Sequence, residues 1–153
     1  MKNSLLHIGV ALSVLCWAAA AKAQTITEDT PLHFGRWVIT DNTSPHTITV
    51  NTNGSYSNSP ELIALMNPQP GSYIVTDLPS FAVINNVMIT PASSIFGPGG
   101  QHFIMDNFTY ICPNANFDGE TNLTIGARAT MSGNGQPYAN GSYQGQLNVV
   151  IDF

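Results

Sequence analysis

Beyond residue 23 the chain contains no lysine. Lys2 and Lys22 lie before that point, so Arg36 and Arg128 are the fixed positive charges of residues 24–153. Against these two arginines stand nine carboxylates (Glu28, Asp29, Asp41, Glu61, Asp77, Asp106, Asp118, Glu120 and Asp152), a net charge of −7 with histidine neutral. Phosphate recognition is assembled from clustered Lys and Arg, so this balance argues against nucleic acid and anionic lipid as partners. Cysteine is almost as scarce. Of Cys16 and Cys112 only the second lies beyond residue 23, which excludes a disulfide within that segment and leaves packing to hold it together. A lone cysteine of this kind is either a small buried apolar residue or an exposed thiol for pairing between chains. Helical periodicity is missing too, since no stretch sustains a 3.6-residue apolar repeat over three turns.

Only one long apolar run is present, and it is N-terminal. Lys2, the run from Leu5 to Ala20 and the small-residue site Ala21-Lys22-Ala23 read as a secretory signal peptide over residues 1–23, with the mature chain beginning at Gln24. The run is too short, and too soon followed by polar sequence, for stable membrane insertion. Cys16 follows Leu15 rather than Gly or Ala, which does not fit a lipoprotein acceptor. The expected location is therefore periplasmic, cell-surface or extracellular.

Residues 24–153 have the length of a single domain with one core. Apolar alternation of period two recurs between clusters of Asn, Gly, Pro and Ser, which predicts an all-β chain, and the turn spacing indicates an antiparallel β-sandwich more than a barrel. A first strand is expected through Leu32, Phe34 and Trp37, with Gly35 marking a bulge or a close backbone approach. A second holds Ile48 and Val50 and ends at Asn51-Thr52-Asn53-Gly54, beyond which the chain should turn back to pair with it. Glu61 to Met66 could start a short helix after Ser59-Pro60, but the closing Asn67-Pro68 leaves little room, so a buried strand is expected. Further strands are expected at Tyr73 to Thr76, Phe81 to Thr90 and Phe103 to Cys112. The clearest alternation runs through Leu123, Ile125, Ala127, Ala129 and Met131, and again from Tyr143 through Leu147, Val149 and Ile151 to Phe153. With Ser132 to Pro137 between them, these two are expected to pair as a long closing hairpin.

Leu32-His33-Phe34-Gly35, Gly119, Leu123, Ile125-Gly126-Ala127, Gly141-x-Tyr143-x-Gly145, Leu147, Val149 and the terminal Phe153 together resemble the bacterial exported family DUF4402 over nearly the whole of residues 24–153. The resemblance implies an Ig-like sandwich similar to pilin-like and spore-coat-U-like secreted subunits. It further implies a structural role at the cell surface, with a periplasmic chaperone or like subunits engaged through an edge strand. It brings no activity, no cofactor and no catalytic, cofactor-binding or metal residue. Gly141 and Phe153 also look like the terminal strand of subunits that polymerise by strand exchange, although the last strand of a complete sandwich explains the same residues. As a donor strand Gln24 to Pro31 is poor, because Ile26 is its sole apolar knob.

The remaining constellations carry little chemistry. Asn114-x-Asn116-x-Asp118-Gly119 opens like a calcium loop but has Ile125 where a bidentate Glu is needed, so a polar turn is the economical account. Asp118 and Glu120 stand two apart, as a carboxylate pair for glycoside hydrolysis would, yet no apolar pocket is evident to raise one pKa. His33, His46 and His102 lack metal-ligand spacing, with His33 expected to point outward beside Leu32 and Phe34. No Gly-x-Ser-x-Gly elbow is present for a nucleophilic serine. Of Trp37, Tyr56, Tyr73, Tyr110, Tyr138 and Tyr143, only Tyr138 is expected to be exposed as a stacking platform for sugars. The leader, the strand pattern and the family resemblance together imply a non-catalytic structural or assembly subunit, with a monomeric module that binds a glycan or surface partner as the alternative.

Overall fold

The computed structural model describes residues 23–92 and 94–153. Apart from Ala23, the expected leader lies outside the described residues. The strands among them are β1 (Thr25–Thr30), β2 (Arg36–Ile39), β3 (Thr47–Val50), β4 (Tyr56–Asn58), β5 (Leu62–Met66), β6 (Gly71–Thr76), β7 (Asn86–Pro91), β8 (Ile95–Phe96), β9 (His102–Ile111), β10 (Thr121–Thr130) and β11 (Leu147–Asp152). One 3-10 turn at Pro98–Gly100 is the sole helical element among the described residues. The fold is all-β and every ladder is antiparallel.

Strand β10 is the axis of a seven-stranded sheet. On one side it pairs with β9; on the other it pairs first with β6, over Thr121–Ile125, and then with β3, over Ala127–Thr130. β1, β4 and β8 extend the sheet outside β6, β3 and β9 respectively. Alternation in β10 aims Leu123, Ile125, Ala127 and Ala129 inward, and all four are buried. Arg128 points the other way and meets its directly opposed neighbour Asp106 through two hydrogen bonds, of 2.7 and 2.9 Å. That guanidinium holds the Asp106 carboxyl below the usual carboxylate range. In β9 the inward set shifts from Phe103 and Met105 to Phe108, a change of parity made by a bulge opposite Ala127 at which Asn107 adopts φ 48°.

A second layer covers this sheet in two separate pieces. The ladder of β7 with β11 packs Val87 and Ile151 on Val75, Leu123 and Ile125, while the ladder of β2 with β5 lays Leu62, Trp37 and Ile39 on Ile48 and Met131. A third apolar cluster, Ile95, Met105 and Ala129 with Phe34, Tyr143 and Leu147 against it, belongs to neither piece.

Four expectations are corrected. The closing hairpin does not form: β11 pairs with β7, because both edges of β10 are already taken by β9 and by β6 with β3. Its strand character begins only at Leu147, and Tyr143 lies in the preceding loop. The expected first strand forms only in part: Leu32 and Phe34 lie in no strand, His33 makes a single bridge to Gln69, and Trp37 alone belongs to a strand, β2. Gln24 to Pro31, judged a poor donor strand and not assigned to the domain's own sheet, contains β1 on the edge of β6, and β2 starts only after Gly35 takes φ 87° to carry the chain from one layer to the other. Finally, Glu61 to Met66 does give a strand, but it is not buried: β5 hides Leu62 and leaves Ile63 and Leu65 at 53% and 62% exposure. The turn after Val50 forms as expected, with β3 pairing β4.

A polar clamp joins the start of this layer to the long connection between β10 and β11. Asn42, only 6% exposed, donates through Nδ2 to the Gln136 carbonyl at 2.6 Å and to Asn134 Oδ1 at 3.1 Å, and its Oδ1 accepts from the Gly133 N–H at 3.0 Å. Asn42→Ala should cost about 2 kcal/mol, since a buried amide cut from several bonds leaves its former partners unpaired. The check is a lower urea midpoint with an unchanged m-value.

Candidate functional site

Among the described residues, the gap between the two pieces of the second layer forms a cleft of about 2140 Å³. Small-molecule pockets run to about 300–1,000 Å³, so this volume suits a polymer segment better than a metabolite. All of β2 and most of β11 line it, whereas no residue of β7 does, so the unpaired edges of β2 and β11 border the cleft. Its floor is the third cluster, with Ile95, Phe103, Met105 and Ala129 from the large sheet. Tyr138 and Tyr143 wall it, their rings 5.8 Å apart and packed on Phe103 at 4.7 and 5.5 Å.

Backbone polarity at these edges follows from the ladders. In an antiparallel pair only alternate residues direct their N–H and C=O at the partner. The Thr40 N–H donates to the Glu61 carbonyl and the Ala92 N–H to the Gln146 carbonyl, which fixes the phase of both ladders. Trp37 and Ile39 on β2, and Leu147, Val149 and Ile151 on β11, therefore aim their backbone groups away from β5 and β7. The Ile151 carbonyl agrees, for it accepts from Gln24 Nε2 at 3.5 Å rather than from β7. The cleft thus has an apolar floor and two rims on which, among the described residues, the main-chain groups of Trp37, Ile39, Leu147 and Val149 have no ladder partner.

The residues singled out by sequence do not converge on a site. In the loop of Asn114, Asn116 and Asp118, Asn116 Oδ1 accepts from the N–H groups of Asp118 and Glu120, both at 2.9 Å, and Asn114 Oδ1 accepts from the Ile84 N–H at 3.1 Å. Those oxygens serve the turn itself. His33 is half-buried rather than outward: it accepts from the Gly35 N–H and its backbone bridges to Gln69, which is what draws the ring inward. His102 packs on Phe96 with centroids 5.5 Å apart. No group of three or more His, Cys, Asp or Glu able to hold a metal occurs among the described residues. Cys112 is half-buried against the core, and burial pushes its thiol pKa up, which keeps it protonated at neutral pH.

Tyr138 is a correction. Its ring lies half-buried on Phe103, and its hydroxyl donates to the His102 carbonyl at 2.7 Å while accepting from the Ser132 N–H at 3.0 Å, so it braces the cleft wall instead of standing in solvent. Trp37 is likewise tied down, with Nε1 donating to the Phe34 carbonyl and the ring edge-on to Tyr56. Tyr56 and Tyr110, not expected to be exposed, stand at 36% and 40% exposure, and Phe96 and Phe153 are exposed as well, but the most exposed aromatics are two not considered as platforms. Phe81 and Phe117, 65% and 71% exposed, form an edge-to-face pair 6.0 Å apart on neighbouring loops.

His46 is the buried titratable residue that spacing could not find. It is 6% exposed, with Glu61 Oε2 at 3.0 Å from Nδ1, and Asp41 Oδ2 and Ser44 Oγ at 3.5 Å from Nε2. The Thr43 hydroxyl, at 2.7 Å, holds the Asp41 carboxyl below its ordinary range. Because the two carboxylates sit on opposite ring nitrogens, they fix the imidazole between two loops and do not converge on one point.

An antiparallel sheet half-covered by two disjoined ladders, with an apolar cleft between their free edges, defines a β-sandwich-like protein. The chain belongs to the family described as Domain of unknown function (DUF4402), whose model matches residues 25–153. No curated protein and no solved structure matches it. No helix among the described residues is long and apolar enough to cross a membrane.

Proposed function

We propose that this protein is an exported, non-catalytic structural or assembly subunit of the periplasm or cell surface, of the fimbrial, pilin-like kind. The observation that carries the reading is the interrupted second layer. A sheet that leaves two inner edges unpaired over an apolar floor, beside exposed Ile63 and Leu65, has surface that association would cover. The N-terminal leader pattern and the −7 charge of residues 24–153 favour a secreted, soluble building block over a nucleic-acid or lipid binder. Fractionating the native host and cross-linking before extraction tests this. The expected result is a processed chain starting near Gln24, outside the cytoplasm, in a complex heavier than the monomer. An uncross-linked monomer in every fraction would overturn it.

A second reading, a monomeric extracytoplasmic module that binds a glycan or surface partner, is favoured by the exposed Phe81 and Phe117 pair. Paired rings on loop tips present flat apolar faces of the kind sugars stack on. If that reading is right, glycan-array binding is present and disappears in Phe117→Ser while the assembly state stays monomeric.

A further inference from the structure

The geometry points to the cleft between β2 and β11 as a strand-acceptor site, which takes one extended segment of a different, net-basic polypeptide as the missing strand of the second layer. This rests on, and deepens, the subunit reading above. Three observations combine. First, the residues whose side chains face the floor are the same ones whose backbone groups face the cleft: Trp37 and Ile39 from one rim, Leu147 and Val149 from the other. An inserted strand would satisfy both rims by main-chain bonding and place its alternate side chains on Ile95, Phe103 and Met105, the two components of strand addition. Second, these inward residues are only partly buried, although every inward position of β10 is buried, so the core is left open along this line.

The third observation identifies the occupant. The strand at the N-terminal end of residues 24–153 is β1, whose one apolar residue, Ile26, already packs on the core, which carries Glu28 and Asp29, and which already pairs with β6. It matches the floor poorly. A second copy would also bring another −7 of charge to a molecule of the same sign, whose cleft holds Glu28 and Asp41 against the single cation Arg36. Like-charge approach of this size is repulsive, whereas a basic chain is steered in.

The test uses residues 24–153 and a synthetic peptide of about eight residues, alternating valine with threonine and ending in lysine on both sides, a length matched to a typical strand. Hydrogen exchange is read with and without it. Expected is new protection at the amides of Trp37, Ile39, Leu147 and Val149, no change at the outer edge of β4, and little binding by a scrambled peptide or one with glutamates for lysines. In Val149→Pro, which removes an N–H facing the cleft and leaves the alternate bonds to β7, affinity should fall at least about tenfold, the scale of one or two lost bonds. Retained protection of β7 amides confirms that the variant is folded. Protection at β4 instead, or no protection at any edge in the unmodified protein, overturns the proposal. So does self-association that disappears when residues 24–30 are deleted, which would make a second copy the occupant. The host cross-linking result is independent: a complex there with no peptide binding here rejects the acceptor cleft alone, and peptide binding with no complex rejects the subunit reading alone.

Discussion

Gly126→Val should cost more than about 4 kcal/mol and leave most of the protein insoluble or unfolded, a loss reserved for sites where backbone blocks the new atoms. A Cβ at Gly126 would meet the Val50 carbonyl oxygen at 2.4 Å and Thr109 Oγ1 at 2.8 Å. Neither the Val50 carbonyl nor its chain can move aside cheaply, because Val50 pairs with Ala127 in the next step of the ladder. The closeness has an architectural cause. Position 126 is where β10 exchanges one neighbour for another, from β6, whose pairing ends at Ile125 with Gly71, to β3, whose pairing begins at Ala127 with Val50. Two strand ends must converge on one residue there, and only a residue without a side chain admits both. Gly54→Ala is the control. Nothing lies within 4 Å of its Cβ, and only its φ of 82° is unfavourable, so about 1–2 kcal/mol is expected. Thermal unfolding of the two variants separates steric exclusion from backbone preference, and equal losses would contradict the account of Gly126.

The two glycines also mark how far the sequence could be read. Asn51-Thr52-Asn53-Gly54 carries its own turn, closed by the Gly54 N–H on the Asn51 carbonyl, and was legible because the partners are three residues apart. The alternation of Leu123 to Met131 was legible for the same reason, since period two is a property of one strand. What β10 pairs with was not. Its three neighbours come from residues 47–50, 71–75 and 104–111, and alternation is silent about which edge meets which. The same silence produced the expected closing hairpin: two adjacent alternating strands look paired until both edges of the first are known to be occupied. β1 was missed because it is an edge strand with one face in water, so its threonines and carboxylates hide the pattern. β5 misled in the opposite direction, with apolar residues that the second layer leaves uncovered. The cleft is a property of two ladders failing to meet, and no local pattern encodes it. Asn42 and His46 were invisible for a related reason, because their partners lie about 90 residues away for one and across two loops for the other.

Leu123→Ala should lower stability by about 3–5 kcal/mol, at the upper end of the range for buried leucine truncation. Leu123 is 0% exposed and among the largest fully buried side chains. Its strand is held by neighbours on both edges, so the main chain cannot sag into the void, and cost rises with the cavity left behind. Nothing covalent compensates, for Cys112 is the one cysteine of residues 24–153. At a total stability of about 5–15 kcal/mol the loss is a large share, and the denaturation midpoint should fall accordingly. Leu123→Met, which conserves volume, should cost less than about 1.5 kcal/mol. The consequence reaches the cleft. Outside the single Phe96–Gln144 bridge that leads into β11, the β7 and β11 ladder shares no main-chain pairing with the large sheet, so it is seated mainly by side chains, with Ile151 in the same cluster as Leu123. Emptying position 123 loosens that seat before it loosens the ladders of β10. Native-state hydrogen exchange should therefore show β11 amides losing protection ahead of β9 amides, and Leu123→Ala with Ile151→Ala should cost less than the two single losses added together, by about 0.5–3 kcal/mol. Strict additivity, or uniform loss across β9 and β11, would mean that β11 is anchored by something other than this core, and the cleft rim would then be rigid by other means.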